Sequence, residues 1–386
     1  MNAFIKTQAL EMTNHLKLFK KIYIQKEALE DEVSQRAIHI FQKEKIEIVS
    51  DIFFNKAPLK GEEIKESKKI LYLKRFQGSF FKRCPGAKPK LMCCNYYVLN
   101  LGQNCEMDCS YCYLQSFINF PAVVIYTNLE KAFEELKELK KTHFNQYIRI
   151  GTGEQTDSLS LDDISLYSTR LIKFFNQCPH WILEFKTKSN NIKNFKNISH
   201  KGNTVISWSI NPEFIVQKEE HKTASLKQRL SAALEVKEKG FKVSFHIDPL
   251  IYHEDWKKNY GELVDQITDL FQIQDIKHIS LGALRFQVQQ KEIMRKRFGM
   301  KSLVCQGEMF QSLDGKLRYD QALRQEMFQF IIQRFQKHSK NWPCFLCMET
   351  PENWLHAIKA YPKNQTLIQK DFDLKFLPKQ TQAYKA

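Results

Sequence analysis

From about residue 95 the chain alternates between short apolar runs and helical patterns, and this alternation restricts the fold more than any other feature. The runs are Tyr96–Leu101, Tyr147–Ile150, Trp181–Phe185, Thr204–Ile210, Lys242–Ile247 and Ile276–Leu284. Each has the length of a strand, and each is apolar enough to be covered on both faces. Between them, Leu129–Lys141, Leu161–Asn176, Ala224–Lys239 and Asp255–Phe271 carry helical spacing. Ser160 reads as the N-cap of the second helix and Gly240 as the residue that ends the third. Six strands separated by helices predict a parallel α/β sheet, wound as a partial (β/α)6 barrel of the TIM type. In such folds the chemistry collects at the C-terminal ends of the strands.

On either side the pattern changes. Upstream, Ile22–Ile24, Lys26–Lys43 and Ile46–Val49 predict a strand, a helix and a second strand. Downstream of Phe286 come a basic helix over Glu292–Arg297, a helix over Asp320–Gln336 and a short strand over Pro343–Met348. The expected division is an N-terminal α/β extension over 1–94, the barrel over 95–286 and a C-terminal α+β segment over 287–386. Apolar runs such as Ala122–Tyr126 fall far short of the roughly 18 residues of a membrane span. The N-terminus is polar and basic, without a secretory apolar region, so the expected location is the cytoplasm, away from membranes. In a reducing compartment the ten cysteines read as metal ligands or catalytic groups rather than as a disulfide frame.

The net charge is +16, from 59 Lys and Arg against 43 Asp and Glu. That favours a polyanionic partner. The excess is densest over Lys65–Lys90, where nine basic residues accompany one acid, Glu66. Tyr72, Phe76, Phe80 and Phe81 interleave with them. Two readings stay open: phosphate contacts from Lys74, Arg75 and their neighbours with base stacking, or a solvated basic face with the aromatics turned inward.

The segment after the first strand is Asn104-Cys105-Glu106-Met107-Asp108-Cys109-Ser110-Tyr111-Cys112-Tyr113. Three thiolates at these spacings can hold three irons of a [4Fe–4S] cubane and leave the fourth open to an exogenous chelate such as S-adenosylmethionine. Two other readings are three buried thiols and a zinc site with a distant fourth ligand. Cys84, Cys93, Cys94 and the Cys344–Cys347 pair allow a second metal, with buried thiols as the alternative. His246 reads either as a site-lining residue or as a core histidine.

The spacing of Cys105, Cys109 and Cys112 resembles the signature of the radical S-adenosylmethionine superfamily. The flanking motifs resemble one family within it, the spore photoproduct lyases. They are Cys112-Tyr113-Leu114-Gln115, Lys186-Thr187-Lys188, Trp208-Ser209-Ile210-Asn211 and Pro249-Leu250-Ile251-Tyr252-His253-Glu254-Asp255-Trp256. By this resemblance Cys105, Cys109 and Cys112 hold the cluster. Tyr111, Lys188, Ser209 and Asp248 contact S-adenosylmethionine, although the lyases usually carry a small residue at the position of Asp248. Tyr113 matches a tyrosine that relays the radical, and Arg318-Tyr319 matches a pair that contacts the DNA lesion. The implied chemistry is reductive cleavage of S-adenosylmethionine to a 5′-deoxyadenosyl radical that attacks a nucleic-acid target, such as a thymine photodimer extruded from the stack. The implied partners are DNA and an electron donor such as flavodoxin or ferredoxin.

One departure stands out. The lyases carry a hydrogen-donating cysteine just after the second strand, whereas Ile150–Ser158 contains none. In its place Gly151-Thr152-Gly153-Glu154 resembles the Gly-Gly-Glu of other superfamily members, whose carboxylate accepts from the cofactor's amino group. Cys347 is a candidate replacement donor. Radical modification of RNA or protein, and a nucleic-acid-binding protein with a structural or redox-sensing cluster, remain the competing expectations.

Overall fold

Six parallel strands, Tyr96–Leu99, Ile148–Gly151, Trp181–Thr187, Thr204–Ser209, Lys242–Leu250 and Ile276–Ala283, lie side by side in chain order. They coincide with the six apolar runs. The structure is a computed structural model that describes residues 16–51, 58–86, 91, 92, 94 and 96–359. Cys344–Leu346 extends the sheet in parallel beside Ile276–Ala283, and Phe81–Arg83 lies antiparallel on Tyr96–Leu99 at the other edge. The sheet curls strongly. Arg149 packs on the Tyr96 ring at 4.5 Å and on Phe345, from the far edge strand, at 5.9 Å. The result is an open half-barrel of the expected class.

The barrel interior is polar at its centre. Glu184 is wholly buried, and its Oε1 meets Ser207 Oγ at 2.7 Å, His246 Nε2 at 2.8 Å and His278 Nε2 at 3.2 Å. Arg149 Nε stands 3.1 Å from its Oε2. Burial alone raises a carboxyl's pKa; Arg149, His278 and His246 outweigh it and hold Glu184 well below the usual range. Burial, with Lys186 nearby, pushes His246 down to about 3. His246 is thus a core histidine and carries no charge at neutral pH. Glu184, His246 and His278 form the one set of three potential ligands within 4.8 Å among the described residues. The adjacent Arg149 and the two imidazoles already spent on one oxygen make it an ion-paired hub joining several strands.

A second sheet runs Ile46–Val49, Lys21–Gln25, Ile70–Lys74 and Val123–Tyr126, all parallel, and ends on the antiparallel Gly102–Gln103. It takes in two strands from beyond residue 94. Val123–Tyr126, buried throughout, lies outside the six expected strands. Tyr72 and Phe80 are wholly buried in this unit, Tyr72 stacks on Phe120, and Phe76 stacks on Tyr126. The aromatics of the basic stretch therefore turn inward, which leaves no row of rings for base stacking.

The helices match their expected positions with two corrections: the helix expected over Lys26–Lys43 forms only over Glu32–Ile40, and a second one divides. The pattern over Leu161–Asn176 breaks at Leu166, whose φ of 52° separates Asp162–Ser165 from Tyr167–Phe175. Asp162 accepts the Ser168 N–H at 3.0 Å and its hydroxyl as well. Ser160, expected as the cap, leaves its hydroxyl buried and unpaired. Ser225 and Gln228 form a capping box on the Leu226–Glu238 helix, and Gly240 ends it with a φ of 86°. No described helix is long and apolar enough to cross a membrane.

Glu184→Gln should strand Arg149 as an uncompensated buried charge and cost about 3–5 kcal/mol, read by denaturant unfolding. The wild-type protein should lose stability as pH falls from about 6.5 toward 3. Over that window the unfolded chain protonates its histidine while folded His246 does not. Once pH falls below about 4.5, the ordinary carboxyl value, the depressed Glu184 adds its own loss.

Candidate active site at the cysteine loop

A ten-residue loop with only a two-residue strand, Asp108–Cys109, has backbone groups that must find partners elsewhere. Here the partners come from three separate parts of the chain. Asn104 takes a φ of 66°, a left-handed conformation that asparagine tolerates. Its amide donates to Ser67 Oγ at 3.0 Å and to the Ala122 carbonyl at 3.2 Å, while its Oδ1 accepts the Cys105 N–H at 2.8 Å. Lys68 is 2% exposed, and its amine donates to the carbonyls of Cys105 at 2.8 Å and Met107 at 2.6 Å. Gln115 donates to Ser110 O at 2.7 Å and Cys112 O at 3.2 Å. Gln290 donates to Tyr111 O at 3.2 Å and Cys112 O at 3.0 Å. Arg297 reaches Asp108 at 2.8 Å.

The far side of the loop is pinned to the Glu220–His221 strand, which pairs antiparallel with Asp108–Cys109. The Tyr111 hydroxyl donates to Glu220, which also pairs with Arg229 at 2.6 Å and accepts from Asn211 at 3.0 Å. Burial opposes ionisation of Glu220, yet Arg229 and Lys188 outweigh it and hold the carboxyl at about 2.

Cys109 is buried, while Cys105 and Cys112 are half-buried. Burial pushes the Cys109 thiol up to about 12 and raises Cys105 as well. Loading a metal must therefore displace protons. The three sulfurs do not all lie within 4.8 Å of one another. One tetrahedral zinc, with Zn–S near 2.3 Å, needs sulfurs about 3.8 Å apart. The partial exposure of Cys105 and Cys112 leaves two thiols open to a metal, unlike inert buried thiols.

Beside the loop, the Gly-Thr-Gly-Glu turn is shaped by close approach. A Cβ on Gly151 would overlap the Tyr96 hydroxyl, and one on Gly153 would sit 2.6 Å from the Lys186 carbonyl. Asp157 ties this turn to the third strand. It accepts from Thr187 Oγ1 at 2.6 Å, Lys188 N at 2.7 Å and Leu159 N at 3.0 Å. Glu154 is partly buried, and its Oε2 is shielded from solvent without a hydrogen-bond partner. Burial raises its pKa against the pull of Lys82 and Lys186. An orphaned carboxylate oxygen is what a ligand's ammonium group would satisfy. The Tyr113 hydroxyl donates to the Glu154 carbonyl at 2.7 Å, and Lys188 lies 5.6 Å from the Tyr111 ring centre. Ser209 closes the fourth barrel strand, buried.

The remaining expected residues sit differently. Asp248 accepts both guanidinium nitrogens of Arg285 at 3.0 Å. Both its oxygens are thus engaged by Arg285. Gly282 makes room for it, since a Cβ there would lie 2.6 Å from the carboxyl carbon. Arg318 is buried between Asp314 at 2.8 Å and Glu349 at 3.4 Å, and the Tyr319 hydroxyl accepts the Tyr252 N–H at 3.1 Å. Both members of the pair therefore hold the protein together. Tyr252, 41% exposed, is the ring open to solvent there. Lys74 faces Asp51 at 3.9 Å and Arg75 pairs with Asp31 at 3.1 Å, both in the second sheet. From the basic stretch it is Lys82 whose charge reaches Glu154. The described cysteines outside the loop form no three-ligand group, and Cys93 lies outside the described residues. Cys347 ends the last parallel strand with Arg285 3.8 Å from its sulfur.

The family model described as spore photoproduct lyase matches residues 18–341. The chain belongs to the spore photoproduct lyase family. The Bacillus subtilis spore photoproduct lyase is 26% identical over 247 residues, covering 63% of this chain and 70% of that protein. The Clostridium acetobutylicum lyase is 24% identical over 325 residues, covering 82% and 94%. The fold superposes on a solved spore photoproduct lyase with a cysteine replaced by alanine at a TM-score of 0.75, with 21% identity, covering 85% of this chain and 98% of that one. A second solved lyase, with bound AdoMet and dinucleoside spore photoproduct, gives 0.73, with 21% identity and coverage of 86% and 99%.

Lys68, Gln290, Arg297 and Asp157 had no signal as site residues in the sequence. Lys68 stood in the basic stretch, but only its burial distinguishes it. Replacing Cys105, Cys109 or Cys112 by Ala should abolish iron binding together with the charge-transfer absorbance. Lys68→Met keeps every ligand yet should lower iron per chain, because two loop carbonyls lose a charged donor. Full iron in Lys68→Met would show that the loop holds its shape without the amine.

Proposed function

We propose that this family member is a radical S-adenosylmethionine enzyme that repairs a thymine photodimer in DNA. The observation that carries this reading is the unpaired, buried Glu154 oxygen at a barrel strand end beside a preshaped loop of three cysteines. Cys105, Cys109 and Cys112 would hold a [4Fe–4S] cluster, and Glu154, Lys188, Ser209 and Tyr111 would hold S-adenosylmethionine. Bound together, these groups supply a 5′-deoxyadenosyl radical. The protein's own task is to orient, to shield and to return a hydrogen atom.

The residues suit those roles. Tyr113, 41% exposed, is anchored through its hydroxyl to Glu154, so it stands between cofactor and substrate. Asp157 clamps the second and third strand ends at fixed separation. With no cysteine in Ile150–Ser158, Tyr113 and Cys347 are the candidates to return the hydrogen. Cys347→Ala should lower recovered thymine per 5′-deoxyadenosine formed. The absent cysteine also supports a second reading, radical modification of RNA or protein.

The deciding experiment incubates the reduced protein and S-adenosylmethionine with ultraviolet-irradiated DNA and identifies products by mass spectrometry. Recovered thymine supports repair, whereas 5′-deoxyadenosine without recovered thymine favours the second reading. Glu154→Gln should leave iron content unchanged and weaken S-adenosylmethionine binding by about 1.5–3 kcal/mol, roughly 10- to 150-fold, measured by calorimetry. Because burial raises the Glu154 carboxyl, wild-type affinity should fall with acidification at a higher pH than an open carboxylate would dictate. The Gln variant should lack that dependence.

A further inference from the structure

An iron–sulfur centre at this loop needs one electron from outside the protein, and the cofactor side of the loop is where Tyr113 and Glu154 meet. The other side is covered by the Gln290–Phe298 helix. Its inner positions are Gln290 and Met294, both buried, and Arg297, which is bound to Asp108. Ile293 packs against the small cluster of Ile64, Leu114 and Ile118. Gln290 touches the carbonyls of Tyr111 and Cys112 directly. Glu292 and Lys296 are exposed and pair at 3.3 Å, while Lys291 and Arg295 are half-buried on the flank of the helix.

We propose, on the enzymatic reading above, that the outer face of this helix, with Lys222, docks an acidic one-electron carrier protein over the cysteine loop. Lys222 is exposed at a φ of 61°, one residue beyond the strand that pairs with Asp108–Cys109. His221 stacks on Phe298 at 5.5 Å and so joins that turn to the helix. Burial lowers the Lys222 pKa, and the nearby Lys68, Lys69 and Arg297 add to the depression against the pull of Asp108. Met300, 63% exposed beside the helix end, supplies an apolar contact among the cations, a composition suited to a small transient interface. An α-helix with its side chains is about 10–12 Å across. A carrier seated on the outer face therefore comes within roughly one helix diameter of Cys112. A nucleic acid would meet the same charges, and its binding is an outcome that the test below separates.

The test uses the cluster-loaded protein, photoreduced flavodoxin as the carrier and stopped-flow bleaching of the cluster absorbance as the readout. Lys222→Glu/Lys291→Glu/Lys296→Glu should slow reduction by flavodoxin at low salt by tenfold or more, the scale of electrostatic steering. The difference should close at about 1 M salt, where the Debye length is about 3 Å. Reduction by dithionite and affinity for duplex DNA should match the parent. A flavodoxin rate unchanged in the variant, or a parent rate that is flat with salt, overturns the proposal. So does lost DNA affinity at an unchanged flavodoxin rate, which assigns the face to nucleic acid. Because bleaching is read without substrate, a chain that accepts electrons here but repairs no DNA would refute the repair reading and leave the docking face standing.

Discussion

The cysteine loop has little regular structure beyond the short Asp108–Cys109 strand, so most of its carbonyls must be satisfied by side chains from elsewhere. The buried amine of Lys68, donating to both Cys105 and Met107, meets that requirement most directly. A buried lysine is costly unless its donors are used and its charge is balanced. Here two carbonyls and Asp108, 3.8 Å away, take that load. Gln115 and Gln290 do the same for the C-terminal half of the loop. The backbone of the loop is thus held by donors from the rest of the fold.

This arrangement explains why the two sheets and the C-terminal segment act together. Lys68 follows the Glu62–Ser67 helix of the second sheet, Gln290 and Arg297 belong to the segment after the barrel, and Glu220 follows the fourth barrel strand. All converge on one loop. Gly102–Gln103 leads from the first barrel strand into the second sheet, so the loop is strung between the two. Within the barrel the Glu184 hub fixes neighbouring strands against one another, in place of the apolar layers a closed barrel would use. The strand ends that carry Asp157, Lys188 and Ser209 rise from that hub.

Much of this was legible in the chain. The six barrel strands show as apolar runs of the right length because strands covered on both faces need them. The cysteine loop shows because thiolate ligands must be close in sequence to converge from one loop. Glu154 shows because its glycines mark a turn under close contact. Other residues are misleading at the same level. Arg318 and Asp248 look like binding groups, yet Asp314, Glu349 and Arg285 occupy them, and no local pattern announces partners 31 or 37 residues away. The basic stretch divides likewise: one lysine is buried under the loop, Lys74 and Arg75 face aspartates, and among its described residues Lys82 makes itself felt at Glu154.

Periodicity, turn chemistry and the spacing of three cysteines are short-range properties, and they determined the fold class and the family. Which charges are free is a long-range property. It depends on which acid the folded chain brings beside each base, and on whether water can still reach the pair. Only the tertiary structure decided that Glu154 keeps an unpaired oxygen while Asp248 does not. Only it decided that a surface-looking basic helix lies against the cysteine loop. Burial and Coulomb energy are set by neighbours in space, and those neighbours are fixed when the sheets close on one another.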